Sequence, residues 1–309
     1  MIKGAAGLML PSERLKGIEA FVAAADLGSF TAAGRRLNLT VSAISKSVGR
    51  LEARLSCRLF ERTTRALKLT DAGVAFYGTC VRVLGDLADA EAVLASHGTA
   101  PAGRIRLDVP VAFGRLRVMP LLLALAERYP ALQPQVSFTD RFIDIMEEGV
   151  DVAVRISATR TWAEGLARRY MGTETVIFCA APAYLARHGT PAVADDLLRL
   201  DAILYARADG GVSPWRFAGP GGGELKSGPA RMVLGSAEAQ IGAVKAGFGV
   251  AQLATWLIAD ELASGALVQI LPDQATDGLP LHLVWPKSRQ LSPKADAVIG
   301  FLGEQLRID

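Results

Sequence analysis

Cysteine, histidine and long apolar runs are scarce in this 309-residue chain, and each scarcity removes a class of protein. The three cysteines, Cys57, Cys80 and Cys179, form no CxxC pair and are odd in number. That usage fits a reducing compartment and argues against a disulfide framework. The three histidines, His97, His188 and His282, share no metal-ligand spacing with a cysteine, so no metal site is expected. No apolar run reaches the roughly 18 residues that a membrane span needs. The longest, around residues 121–126, is stopped by Glu127 and Arg128. Residues 1–10 carry one lysine and no convincing cleavage site, so a secretory leader is not expected, and Met9 is an alternative start. No nucleophile–base pair, carboxylate pair or metal cluster stands at informative spacing, so neither an enzyme nor a catalytic residue is expected. Half of the residues are hydrophobic and 21% are charged, the balance of a globular chain long enough for two domains.

Against these absences stands a charge asymmetry. Residues 31–70 hold nine Lys/Arg against two acidic side chains, a net +7 in a chain whose total is +3. A basic segment on an acidic remainder is the footprint of a DNA-binding module, although one solvated basic face produces the same count. Over residues 15–27, Ile18, Phe21, Val22 and Ala25 repeat at helical spacing. Gly28 ends that helix, and Ser29 is placed to cap a short one at about 31–37. A turn at Asn38-Leu39-Thr40 leads to a third helix over 41–55, with Ile44, Val48, Leu51 and Leu55 inward. Two short helices joined by a few residues, the first rich in alanine, describe a helix-turn-helix.

RLFERTTRALKLT then reads as a β-hairpin wing with Thr63-Thr64-Arg65 near its tip. Thr70 is placed to cap a long helix over 71–96, in which Val74, Tyr77, Val81, Leu84 and Ala88 form a seam of coiled-coil type. A partner chain is the simplest cover for it; packing on its own domain is the other. HGTAPAG, residues 97–103, reads as a hinge. Beyond it strands alternate with helices, among them strands at 135–139 and 150–156 and helices through 121–129 and at about 141–148. That alternation implies an α/β fold with mixed, largely parallel sheets. GPGGGE (219–224) lacks the lysine and hydroxyl of a phosphate loop, and the glycines of KAGFGVA follow a helix rather than a strand, so no nucleotide cofactor is expected.

From Phe21 to Gly73 the run FVAAADLGSFTAAGRRLNLTVSAISKSVGRLEARLSCRLFERTTRALKLTDAG resembles, nearly position by position, the DNA-binding signature of the LysR family of bacterial transcriptional regulators. PVAFG, TDRFIDIMEEGVDVAVRI, CAAPAYLARHGTP, LASGALV and LSPKADAVIGFL resemble effector-domain landmarks of the same family, so the similarity covers about residues 13–306. The resemblance implies a mainly α N-terminal winged helix-turn-helix (9–70), a linker and dimerisation helix (71–96) and a hinge (97–103). It implies in addition an α/β two-lobed, periplasmic-binding-protein-like (type 2) effector domain over 104–309. Lobe 1 would hold about 104–176 and 281–309, lobe 2 about 177–280, with chain crossings near 177 and 280. A homodimer or homotetramer would read an inverted repeat in double-stranded DNA under control of a small-molecule effector. RNA polymerase would be a further partner during activation, in the cytoplasm and away from membranes.

Site residues follow from the motif and from chemistry. Opposite the inward stripe of helix 41–55, Ser42, Ser45, Lys46 and Arg50 project toward the DNA with Thr40 at its start; the resemblance places Val41, Ser42, Ser45 and Lys46 at base and phosphate contacts and Arg65 in a minor groove, with Thr64 beside it on the wing. Where glutamine is frequent in the family this chain has Val41, which packs against a thymine methyl and makes no bidentate contact to adenine. Arg62 contacts phosphate or pairs with Glu52 or Glu61. In a two-lobed α/β domain the ligand sits in the cleft at strand C-termini and helix N-termini. That rule nominates Val111, Phe113, Thr139, Asp140 and Arg155 in the first lobe and Tyr205, Ser236 and Gln252 in the second, for a small carboxylate with aromatic character. Each has a plainer role open to it: a helix cap for Thr139 and Ser236, an ion pair with Asp140 or Asp151 for Arg155, core packing for Phe113 and Tyr205.

Overall fold

The computed structural model describes residues 13–62, 67–95, 101–158, 162–219, 223–289 and 292–308. The chain divides into two compact units, Met1–His97 and Gly98–Asp309.

In the first unit three helices, α1 (Glu13–Leu27), α2 (Phe30–Leu37) and α3 (Val41–Leu55), precede strands β1 (Phe60–Arg62) and β2 (Leu67–Leu69) and the long helix α4 (Asp71–Ala95). Phe21 is fully buried, with its ring 5.3 Å from Phe60 and 5.6 Å from Phe76. Ile44, Val48 and Leu51 are buried on the inner face of α3, as their spacing required. Ser29 and Thr40 cap the N-termini of α2 and α3, accepting from Ala32 N (3.3 Å) and Ala43 N (3.1 Å). Between the two helices the chain turns so tightly that a Cβ on Gly34 would sit 2.7 Å from the Leu39 carbonyl oxygen, so this position requires glycine.

The long helix divides the seam read from the sequence. Tyr77, Val81 and Leu84 pack on the core of their own unit, together with the fully enclosed Cys80, whereas Val74, Val83 and Leu87 are exposed. Only part of the stripe is therefore left for a partner chain. The expectation treated one face as one interface, and a helix this close to α1 has to cover that core first.

The second unit is built on one mixed sheet in the order β11-β7-β12-β6-β14-β5-β3-β4, with β13 added to β6 and β8 to β7. Its strands are β3 (Gly103–Val109), β4 (Leu132–Phe138), β5 (Val152–Ile156), β6 (Leu166–Ala180), β7 (Ala202–Ala206), β8 (Val212–Ser213), β11 (Ala230–Leu234), β12 (Val250–Ala254), β13 (Val268–Ile270) and β14 (Thr276–Pro286). A separate ribbon pairs β9 (Trp215–Arg216) with β10 (Leu225–Lys226). Parallel pairs lie within each lobe, whereas β6 and β14 run antiparallel to each other. These two long strands are the crossings: the first half of β6 pairs with β14, the second with β12.

Helices cover the sheet. Helix α5 (Val111–Phe113) runs through a π-helical turn at Gly114–Val118 into α6 (Met119–Arg128), which packs with the final helix α11 (Pro293–Gln305) on the first lobe. Helices α7 (Pro182–His188), α8 (Ala194–Leu197), α9 (Ala237–Lys245) and α10 (Ala259–Ala263) belong to the second. The helix expected at 141–148 does not form. Its place is taken by turns in which the Asp144 carboxylate accepts from Met146 N (2.8 Å) and Glu147 N (3.0 Å), a local side-chain bond that competes with helix. The β9–β10 ribbon was not anticipated, because two-residue strands leave no periodicity to read.

Candidate functional site

The recognition face is set by the inward stripe of α3. With Ile44, Val48 and Leu51 buried, the helix exposes Val41, Ser42, Lys46 and Arg50, with Ser45 half-buried and the cap Thr40 at its start. Val41 is joined by Leu39, 45% and 48% exposed respectively, so the helix entrance carries an apolar pair of which the sequence reading singled out one member. Glu52, on the opposite end of α3, accepts from Leu59 N (2.8 Å) and Phe60 N (3.2 Å), tying the first wing strand to the helix. Asp26 gathers Arg36 of α2 (2.8 Å) and the Tyr77 hydroxyl of α4, which locks the long helix to the DNA-binding core. The Arg62 side chain, Thr64 and Arg65 lie outside the described residues.

In the second unit a cavity of about 830 Å³ lies where the crossing strands meet the two lobes. Phe113, Thr139, Asp140, Arg155, Tyr205 and Gln252 are on its wall; Val111 and Ser236 are not. Val111 acts through its backbone, donating to Asp140 Oδ1 at 3.0 Å. Ser236 caps α9, accepting from Ala239 N (3.3 Å) and donating to Glu238 Oε2 (3.1 Å). Thr139 accepts from Arg141 N (3.1 Å) in a turn, there being no helix after it to cap. Gln252 is committed to structure: its amide accepts from Arg216 N (2.8 Å) and donates to Arg216 O (2.6 Å), pinning the β9–β10 ribbon to β12. Phe113 is core, fully buried and edge-on to Trp256 at 5.0 Å, although its residue forms part of the wall.

Arg155 pairs with neither of the acids expected from the sequence. Its Nη1 meets Asp108 on the neighbouring strand and Val154 O at 3.2 Å, while Asp151 is engaged by Arg289 (3.4 Å) and by Arg106 N (2.8 Å). The second guanidinium nitrogen, Nη2, is buried with no hydrogen-bond partner. Tyr205 is half-buried on the wall. Burial raises its phenol pKa, and the charges of Asp140 and Glu238 push it the same way, so the hydroxyl is held as a donor.

Sequence reasoning missed Glu174, which lies on the wall at the strand crossing. Its carboxylate accepts from the Trp256 indole (2.9 Å) and from Leu279 N (3.0 Å), the latter where the β6–β14 register slips. Burial raises its pKa above the ordinary 4.5, and the two hydrogen bonds oppose that rise. It missed as well the bridge from Arg115, in the π-helical turn of lobe 1, to Glu238 on α9 of lobe 2 at 2.9 Å. Among the described residues no cluster of His, Cys, Asp or Glu is arranged to hold a metal ion, and no helix is long and apolar enough to cross a membrane.

Comparison with known proteins assigns both units. Residues 15–74 match the family model for the bacterial regulatory helix-turn-helix protein of the lysR family, and residues 98–307 match that for the LysR substrate binding domain. An uncharacterized HTH-type transcriptional regulator of Haemophilus influenzae is 32% identical over 286 residues, 93% of this chain and 98% of that protein. CrgA of Neisseria meningitidis, a LysR-type transcriptional regulator of solved structure, aligns with a TM-score of 0.57 and 28% identity over 93% of this chain and 98% of its own. The full-length Vibrio cholerae virulence activator AphB aligns with a TM-score of 0.60 and 25% identity, covering 94% and 99%. A capped recognition helix with a wing, followed by a two-lobed sheet enclosing a cleft, is thus matched over both halves at once, and the chain belongs to the LysR family of transcriptional regulators, with a helix-turn-helix for DNA and a substrate-binding domain for a small-molecule effector.

Proposed function

We propose that this regulator binds a small carboxylate in the cleft of residues 104–309 and that the ligand alters how residues 9–70 engage an inverted-repeat operator. Arg155 carries the ligand half of this reading. The residue lines the cavity, its guanidinium is ion-paired with Asp108, and one of its nitrogens is buried without a partner; a buried donor without an acceptor costs about 1–3 kcal/mol. A carboxylate that reaches this nitrogen supplies the acceptor. Tyr205, a protonated phenol on the same wall, favours an acid with an aromatic body. The test is a thermal-shift screen of the full-length protein against small carboxylates and aromatic acids, followed by footprinting. A ligand that raises the melting temperature and changes the footprint supports the reading; stabilisation by uncharged analogues alone overturns it.

For DNA, the exposed Ser42, Lys46 and Arg50, with Ser45 beside them, are assigned to base edges and phosphates. Thr40 contributes while capping the helix, and Val41 packs on a thymine methyl. Arg62, Thr64 and Arg65 are assigned to the wing contact. Arg65→Ala should weaken operator binding by roughly 1–3 kcal/mol without unfolding the protein. Unchanged affinity in a salt-matched gel shift refutes that role. The exposed part of the 71–96 helix is assigned to a homodimer or homotetramer, and activation to contact with RNA polymerase in the cytoplasm.

A further inference from the structure

We infer that Leu39, just before the recognition helix, is a second reader of thymine methyl groups, so that each operator half-site is fixed by two such methyls, one against Val41 and one against Leu39. The inference rests on the assignment of Val41 to a thymine methyl and goes beyond it by naming a further residue, a second base and the spacing between them.

Leu39 and Val41 form an exposed apolar pair at the entrance of α3. Among the described residues of this unit, the other large apolar side chains left exposed lie elsewhere: Leu27 and Leu55 at the ends of α1 and α3, and Val74, Val83 and Leu87 on α4. An apolar residue just before a helix cap often packs on the fourth helical residue, here Ile44. Ile44 is fully buried, yet Leu39 is still 48% exposed, so nearly half of the leucine is left over from any such contact. Ser42, Lys46 and Arg50 are exposed on the same helix, and residues 31–70 carry nine basic side chains against two acidic ones. A protein partner covering the pair would have to cover that charge as well. A duplex meets the charge with phosphates and the pair with the C5-methyl of thymine, the apolar group of the major-groove edge.

Both side chains are held in place before DNA arrives. The Leu39 N–H donates to Gly34 O at 2.8 Å, and the Leu39 carbonyl lies against Gly34, so the tight turn fixes its backbone. Val41 is β-branched in the first turn of a helix, which leaves its methyls one strongly preferred orientation. Thr40 between them is extended (φ −72°, ψ 152°) and commits its hydroxyl to Ala43 N at 3.1 Å. Across an extended residue, side chains two apart share a side and stand about 6.6 Å apart along the chain. Successive bases of one strand rise by about 3.4 Å, so this spacing matches two steps of duplex. Neither contact uses a hydrogen bond, so recognition at both positions depends on the methyl itself.

The experiment starts from duplexes that the full-length protein selects out of a randomised library. Thymine is then exchanged for uracil one position at a time, which keeps every hydrogen-bonding group and removes the methyl, and affinity is read by fluorescence anisotropy at fixed salt. Two positions in each half-site, about two base steps apart on either strand, should each lose about fourfold, the worth of one buried methyl. Leu39→Ala should lose a similar factor on the thymine site, become indifferent to uracil at one of the two positions and keep the loss at the other. Val41→Ala should show the reverse. A single uracil-sensitive position, abolished by Val41→Ala and kept in Leu39→Ala, overturns the role of Leu39 and leaves that of Val41 standing. If Leu39→Ala weakens thymine and uracil sites equally, with every uracil effect retained, the leucine serves only the turn and the inference is overturned. If no exchange to uracil weakens binding, or the selected duplexes hold no fixed thymine, the assignment of Val41 fails, and that of Leu39 with it.

Discussion

The Asp108–Arg155 pair offers the sharpest test of the effector unit, because both side chains are almost wholly withdrawn from water, at 1% and 6% exposure. Replacing one partner of a buried ion pair leaves the other charge without compensation, at a cost of about 3–5 kcal/mol. Asp108→Asn keeps an acceptor oxygen of similar shape, and Arg155 Nη1 retains Val154 O at 3.2 Å, so the loss should fall near the lower bound, about 3 kcal/mol. Against the 5–15 kcal/mol that stabilises ordinary domains, roughly, this is a large fraction. All four tryptophans, Trp162, Trp215, Trp256 and Trp285, lie in the second unit, so intrinsic fluorescence during urea unfolding reports that unit alone. The double variant Asp108→Leu/Arg155→Met removes both charges and should cost much less than the two single changes added together, since apolar replacement of a buried pair is often near neutral. A loss below about 1 kcal/mol for Asp108→Asn, the range of exposed pairs, would refute the burial argument. Strict additivity in the double variant would refute the coupling.

Four further outcomes are expected. Gly34→Ala places a methyl 2.7 Å from the Leu39 carbonyl and should destabilise the first unit by about 1–3 kcal/mol, read as a fall in the melting temperature followed by far-ultraviolet circular dichroism; an unchanged midpoint refutes the tight turn. Val41→Gln introduces a side chain able to make two hydrogen bonds to adenine and should shift the base preferred at one operator position, measured by binding to a randomised-site library. Glu174, whose folded pKa is raised, binds its proton more tightly in the native state. Its contribution is therefore fully present below about 4.5 and lost as pH rises through the folded value, so melting temperatures measured across that range should fall toward alkaline pH, and the Glu174→Gln variant should show a smaller fall. Of the three thiols only the exposed Cys57 should react promptly with a disulfide reagent at pH 8. Burial raises Cys80 to about 11 and Cys179 to about 12, so two equivalents titrating in the native protein would contradict their enclosure.

What was legible in the sequence is what depends on neighbours along the chain. Ile44, Val48 and Leu51 on the inward stripe of α3 and the caps at Ser29 and Thr70 follow from intervals of three or four residues, and each is present in the fold, whereas Leu55, read on the same stripe, is exposed at the helix end. Placing Arg155 and Tyr205 near a cleft required only the rule that ligands gather at strand ends. The misplacements share one cause. Ser236 and Val111 stand next to wall residues but turn to local backbone duties, and the helix expected at 141–148 lost to the Asp144 side chain.

The features that give the cleft its chemistry join residues far apart in sequence. Asp108 meets Arg155 across 47 positions, Gln252 meets Arg216 across 36, and Glu174 meets Leu279 across 105. No periodicity encodes such partners, yet Asp108 left a mark: a carboxylate inside the run RIRLDVPV sits where the strand needs a side chain on its second face. A charge in the middle of a strand covered on both faces has to find a counter-charge, and VDVAVRI supplies one arginine at the matching end of the adjacent strand.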